Sequence, residues 1–234
     1  MTFAELATEV IKKTYNFKVN PSHYLRTAEN DFIERTNCTE EFFNADTNDL
    51  NSGTLSDLYN LETEGVTGFV REYRVEWNGW ELAKISKAVV GRIYNSDNAI
   101  QTGTPTRYLI EDEQIRLIPK PTGHSYLSIW YCMKNTSTSS ASPIMPAIDH
   151  RKIINYAIAE ILEDEANRLL QAGDARASGT FSSAKFYKNK YLEDVKRAYT
   201  KYREQRFRQD RIIDGTLDQS YLGIEQRIPI VEEP

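Results

Sequence analysis

Residues 69–85 read FVREYRVEWNGWELAKI, and this stretch decides the class of fold. Asn78-Gly79 is the pair that a type I′ turn prefers, because both residues tolerate positive φ. A two-residue turn there sets Trp77 against Trp80, Val75 against Leu82 and Tyr73 against Lys84. One face of the hairpin is then aromatic and apolar, worth about 0.2–1 kcal/mol per cross-strand pair. The other face sets Glu76 against Glu81, a like-charge contact that calls for solvent or a cationic neighbour.

Working outward, TRYLIEDEQIRLIPKP (106–121) predicts two more strands turning around Asp112-Glu113, and YLSIWYCM (126–133) a further strand by its period-2 alternation. Upstream, residues 38–66 are rich in Asn, Asp and Thr. They read as a long loop with one short strand at Leu58-Tyr59-Asn60-Leu61. Both ends of the chain change to helical periodicity. Thr2 and Glu5 form a capping box ahead of Phe3, Leu6, Ala7, Val10 and Ile11, giving a helix to about Tyr15. Asn20-Pro21 opens a second helix, as N-cap and first helical residue, with Tyr24, Leu25, Ala28 and Phe32 on its stripe and an end near Asn37.

Residues 135–142 (NTSTSSAS) are too polar to bury the surface that would order them. A helix over 148–171 follows, with Ile154, Ile158, Ile161, Ala166 and Leu169 on one side and a stop at Gly173. The loop GDARASGTFSS then leads to a long helix from about Ser182 to Gln209, striped by Tyr187, Tyr191, Val195, Tyr199 and Tyr202. The fold class is therefore α+β. Residues 1–57 and 143–210 form a helical bundle, 58–134 an inserted antiparallel β region, 135–142 a Ser/Thr linker and 211–234 an extended C-terminal arm.

The 234 residues are 40% hydrophobic and 27% charged, which suits an ordinary globular chain and argues against wholesale disorder. No apolar run approaches the ~20 residues of a membrane-spanning helix, and MTFAELATEV lacks the basic start of a signal peptide. Cys38 and Cys132 lie far apart with no CxxC spacing and read as reduced thiols in a cytosolic protein. The net charge of −5 hides an asymmetry. Residues 185–211 hold ten Lys/Arg and four Asp/Glu, so +6, and the remainder carries −5 − 6 = −11. Such a helix suits nucleic acid, an acidic partner or plain solvation. Its tyrosines recur near i, i+4, i+8, the pattern of a buried stripe rather than of a base-stacking surface.

Catalytic chemistry finds little purchase. His23, His124 and His150 have no metal-ligand spacing, and no phosphate-binding glycine loop or GxSxG elbow occurs. The acidic clusters Glu40-Glu41, Glu111-Asp112-Glu113 and Glu163-Asp164-Glu165 read as surface solvation, the second on a hairpin turn and the third on a helix's solvent side. The expectation is a non-enzymatic chain with no catalytic residue, metal or cofactor.

A resemblance gives this a direction. Gly103-Thr104-Pro105 with Tyr108, then Ile115-Arg-Leu117-Ile-Pro119-Lys-Pro121, the strand ending Ile129-Trp-Tyr131, Pro143-Ile-Met-Pro146, and the Ala-rich helix through Tyr156, Ala157 and Ala159 follow one another in order. With the Leu58–Leu61 strand and the Asn78-Gly79 hairpin, this series resembles the head-to-tail adaptor (connector, or neck ring) proteins of tailed bacteriophages, over about residues 1–205. The resemblance implies a structural virion protein, made in the bacterial host cytoplasm, that assembles as a homo-oligomeric ring of about twelve copies. That ring joins the portal protein to a downstream tail or neck protein and passes genomic DNA without sequence specificity. It implies a subunit that stays monomeric or weakly associated until it meets the portal, and no membrane partner. An acidic body suits a DNA channel, since a basic lining would hold phosphates.

Two surfaces become candidates. The hairpin residues Tyr73, Val75, Trp77, Trp80 and Leu82 are an expected contact between subunits. Leu217, Tyr221, Leu222, Ile224, Ile228, Ile230 and Val231 are expected to dock an arm on the portal, since Gly215, Gly223 and Pro229 keep them from a packed element. The alternatives are another neck or tail ring of the stopper or tail-tube type, a nucleic-acid-binding module using 185–211, and a tail-borne glycosidase needing two convergent carboxylates.

Overall fold

Thr2 starts the chain's first helix as its sequence requires: its Oγ1 accepts from the Glu5 amide at 3.2 Å, and Glu5 Oε2 accepts from the Thr2 amide at 2.9 Å. A computed structural model describes residues 1–14, 19–89, 101–137 and 141–213. Helix α1 spans Phe3–Lys13 and buries Phe3, Leu6 and Val10. Helix α2, Pro21–Thr36, is capped by Asn20 Oδ1 on the Ser22 amide and stops at Asn37, whose φ of 50° breaks the helical path. Helix α3, Lys152–Gln171, follows a 3₁₀ turn at Ala147–Asp149 and ends ahead of Gly173, φ +69°. Helix α4, Ala177–Ile213, is 37 residues long, about 55 Å at 1.5 Å per residue.

These four helices share one apolar core through Leu6, Phe32, Ile153, Ile158, Tyr191 and Val195. α4 begins five residues before the expected Ser182. Asp174 supplies the start, its carboxylate accepting from the Arg176 amide and its carbonyl from the Ala177 amide. Thr180, Ser182 and Ser183 then turn their hydroxyls back onto carbonyls four residues earlier. Ala177 and Ala184 are buried, small enough for a close approach to the core, so the glycine- and serine-rich start is held by packing rather than by propensity.

The β part contains two four-stranded sheets. In the first the order is β1 (Glu41–Asp46), β8 (Tyr126–Met133), β3 (Phe69–Trp77) and β4 (Trp80–Glu81). In the second it is β2 (Leu58–Asn60), β7 (Gln114–Ile118), β6 (Arg107–Glu111) and β5 (Ala83–Lys84). Both sheets contribute to one cluster, with Val75, Trp77, Leu127 and Ile129 from the first and Tyr59, Tyr108, Ile115 and Leu117 from the second.

The hairpin forms as read: Asn78 and Gly79 have φ of 53° and 78°, and Trp77 pairs Trp80 while Glu76 pairs Glu81. It is shorter than expected. After the Leu82 amide bonds Val75 O at 2.9 Å, the chain crosses to the second sheet, where Ala83 and Lys84 pair in parallel with Arg107 and Tyr108. The expected Tyr73–Lys84 pair is therefore not made. Irregular register between Glu72 and Arg74 loosens β3 there, and the crossing buries Leu82 between the sheets.

Three further expectations are corrected. Residues 38–66 contain a second strand, β1, so the β part starts at Glu41 rather than at 58. Only Phe43 and Ala45 of β1 lean on the core, too little alternation to stand out in a polar stretch. The linker is not left to itself. The Asn135 amide bonds Asn30 Oδ1 at 3.1 Å, Arg26 Nη1 donates to Ser137 O at 2.7 Å, and the Phe3 amide donates to Ala141 O at 2.9 Å. Polar groups of α2 bind its backbone, a partnership that composition does not register. Finally, Tyr199 leaves the buried stripe, 41% exposed, and Ala198 takes its place on a seven-residue spacing with Ala184 and Tyr191. The arm residues from Leu217 to Val231 lie outside the described residues.

Candidate inter-subunit surface

The hairpin was the first candidate, and its own core claims most of it. Val75, Trp77 and Leu82 are buried, and Tyr73 is half-buried, donating its hydroxyl to Asn37 O and Thr39 O at 3.1 and 2.8 Å. Trp80, 77% exposed, is the member left to solvent. It stands beside a cavity of about 300 Å³ walled by Trp77, Pro105, Pro121 and His124. The Gly103-Thr104-Pro105 segment therefore flanks the hairpin tip.

On the outer face of the first sheet, cross-strand pairing lines up Phe42, Trp130 and Arg74. Phe42 tilts onto Trp130 with ring centroids 4.6 Å apart, and the Arg74 guanidinium lies 5.4 Å from the Trp130 centroid. Arg74 also answers the Glu76–Glu81 contact, at 2.5 Å from Glu76 and 3.4 Å from Glu81. The cationic neighbour implied by that like-charge pair is thus on the same strand, two residues before Glu76.

Beside this face runs a groove of about 800 Å³ between β3, the β5–β6 edge and the end of α4. The Arg206 guanidinium stacks 3.7 Å from the Tyr73 centroid and donates to its hydroxyl at 2.7 Å. This contact ties the far end of α4 to the β part. Burial first, then the Cys132 thiol, pushes the Tyr73 phenol upward against the pull of Arg206. Across the groove Tyr108 donates to Glu72 at 3.4 Å, and Lys84 pairs with the same carboxylate. Burial, then the Glu72 charge, likewise raises the Tyr108 phenol.

The tyrosine stripe of α4 is structural. Tyr191 donates to Asp31, itself paired with Arg35, and Tyr202 donates to the buried Asp149, which Lys152 also holds. Both phenols are raised, by burial and then by the carboxylate. Neither ring is free to stack on a base. The opposite flank of α4 differs: Leu192 and Tyr199 are 42% and 41% exposed among exposed Lys185, Lys196 and Arg203.

Two of the three acidic clusters, 111–113 and 163–165, have local structural work, while Glu40 and Glu41 stay exposed. Glu111 pairs with Lys87, Asp112 and Glu113 form a positive-φ turn, and Glu163 and Glu165 pair with Lys188 and Arg168. Asp164 accepts from Tyr24, whose phenol that hydrogen bond pushes up to about 12. His124 contacts Thr47 Oγ1 and His150 contacts Met145 O. Among the described residues no three of His, Cys, Asp or Glu converge to hold a metal. Cys38 and Cys132 are buried free thiols, and burial pushes the Cys38 thiol up to about 12. No described helix is long and apolar enough to cross a membrane.

The Arg206–Tyr73 bridge leaves no signal in the sequence, because its partners lie 133 residues apart. Phe42 is equally hidden, its one signal being an aromatic pair inside an acidic stretch. No protein-family model matches the chain, and no curated protein matches it.

Proposed function

We propose that this chain is a non-catalytic structural subunit of a ring at the head-to-tail neck of a tailed bacteriophage, joining the portal to the tail and extending the DNA channel. The observation that carries the reading is the layout. Helices from the two ends of the chain share one core around an inserted two-sheet β part, the arrangement that the motif resemblance implies. The occupied 111–113 and 163–165 clusters and the buried Tyr191 and Tyr202 of α4 support it, because they give these conspicuous residues structural work. Heterologous rings need two different faces per subunit. Exposed Trp80 at one tip, the Phe42–Trp130–Arg74 row and the α4 flank supply candidates. The arm, with Leu217, Tyr221, Leu222, Ile224, Ile228, Ile230 and Val231, is proposed to dock on the portal.

The test is co-expression with the portal protein of the same genome, followed by electron microscopy. A ring of about twelve copies on the portal is the expected result. Failure to co-purify under any tested salt, with a ring on a tail tube instead, overturns it in favour of a stopper or tail-tube role. The basic α4 favours a second reading, nucleic-acid binding. That reading expects affinity falling steeply with salt, whereas the neck reading expects only weak, sequence-independent retention.

A further inference from the structure

Two exposed surfaces of this chain carry opposite charge around exposed apolar side chains. The first is a stripe on α4. Leu192, Lys196, Tyr199 and Arg203 follow at i, i+4, i+7 and i+11, which places them on one side of the helix. Leu192 and Tyr199 leave about two-fifths of their surface in water, and Lys196 and Arg203 form no ion pair among the described residues. Two neighbouring cations are answered within the chain, Lys188 by Glu160 and Glu163, and Arg197 by Glu193.

The second surface is the β1 edge of the first sheet. Residues 39–70 contain seven Asp or Glu and no Lys or Arg. Glu40 and Glu41 are exposed there and form no ion pair among the described residues. Phe42, 53% exposed, stands beside them. β1 pairs with β8 on one side, and no described strand covers its other side, so a row of backbone donors and acceptors faces outward. Each surface is a charge cluster set around exposed apolar side chains, and the charges are opposite.

We propose that this chain binds a second copy of itself by seating the Leu192–Lys196–Tyr199–Arg203 stripe of α4 against the Glu40–Glu41–Phe42 edge of the next copy. The inference deepens the ring reading by naming its two faces, and it rests on that reading only for the closure of copies into a ring. A second copy fits the stripe better than nucleic acid does. The tyrosines that would offer stacking planes, Tyr191 and Tyr202, are buried, and Glu193 and Glu204 interrupt the positive field. Opposed charge steers and registers such a contact, while Leu192, Tyr199 and Phe42 supply the apolar area. The contact must weaken with salt, because both clusters are exposed.

The experiment mixes ¹⁴N- and ¹⁵N-labelled full-length chain at about 0.02 M and about 0.5 M salt, where the Debye length is about 20 Å and about 4 Å. A zero-length carbodiimide then joins amines to carboxylates in contact. The expected result is mixed-isotope peptides linking Lys196 to Glu40 or Glu41, abundant at low salt and lost at high salt. Links confined to single-isotope peptides would place the contact within one chain and overturn the proposal. Charge reversal supplies the second arm, read by sedimentation at low salt with melting temperature as the check on folding. Lys196→Glu with Arg203→Glu, or Glu40→Lys with Glu41→Lys, is expected to weaken self-association by about tenfold or more. The chain carrying all four reversals is expected to associate again, and its remaining monomeric overturns the pairing. Loss of DNA retention in the stripe variant, without mixed-isotope links in the parent, would assign the stripe to nucleic acid instead. Portal binding is not read here, so failure of the neck role and failure of this contact are separable.

Discussion

Replacing Glu29 by Ala should cost this protein several kcal/mol of stability, about 2–6. Glu29 is fully buried on α2 and reaches the chain just before α3. Its Oε1 accepts from the Ile144 amide at 2.5 Å and lies 3.5 Å from the Met145 amide, while Oε2 accepts from Asn135 Nδ2 at 3.0 Å. Alanine would remove the carboxylate that accepts from the part-buried Ile144 amide and Asn135 Nδ2. Each such loss costs about 1–3 kcal/mol, so the total is about 2–6 kcal/mol. For a chain of this size that lowers the melting temperature by roughly 4–24 °C. Glu29→Gln separates the hydrogen bonds from the volume. Its amide oxygen can keep Ile144, but its NH₂ group then faces the NH₂ of Asn135. Asn135 cannot turn over freely, because its Oδ1 accepts from the Ser137 amide at 3.1 Å. Gln should therefore fall between the parent and Ala, at about 1–2 kcal/mol. Calorimetry and denaturant unfolding read the series. An Ala variant within about 0.5 kcal/mol of the parent would refute the anchoring argument.

Trp77→Ala should cost about 3–5 kcal/mol in urea unfolding, and Trp80→Ala less than about 0.5 kcal/mol, since one ring is buried and the other exposed. Equal losses would mean that Trp80 packs against its own chain. Gly79→Ala should destabilise by about 1–2 kcal/mol, a conformational cost alone, because its φ is +78° and an added Cβ meets nothing within 4 Å. Raised folded-state phenols at Tyr73, Tyr108, Tyr191 and Tyr202 make folding favour their protonated form. Their contribution is complete below about pH 10, the unfolded value, and is lost progressively as pH rises above it. Thermal unfolding should show that alkaline decline, and Tyr191→Phe should reduce its slope. Deleting residues 215–234 should abolish portal binding and leave the melting temperature unchanged; intact binding with a lower melting temperature would assign the arm to its own domain.

What the sequence determined by itself were features decided within a few residues. Asn78-Gly79 sets its own backbone sign, Thr2 and Glu5 cap each other, and Asn20-Pro21 opens α2, so the hairpin, the helix starts and the α+β class could be read directly. The apolar stripes of α1, α2 and α3 were equally legible, because a helix presents its buried residues at a fixed spacing. Only the tertiary structure decided where partners distant in the chain compete. β1 exists because β8 offers it a ladder of six pairs, not because EFFNAD favours a strand. The hairpin ends at Leu82 because β6 competes for Ala83 and Lys84. α4 starts early, and Tyr199 yields to Ala198, because α3 and the bundle set the depth available at each position. The candidate surfaces follow the same division. Trp80, Val75 and Trp77 looked alike in an alternating strand, and burial between two sheets took Val75 and Trp77 while leaving Trp80 in water. Local conformational preference acts through neighbours in sequence, but burial and pairing depend on which surfaces the rest of the chain brings to them.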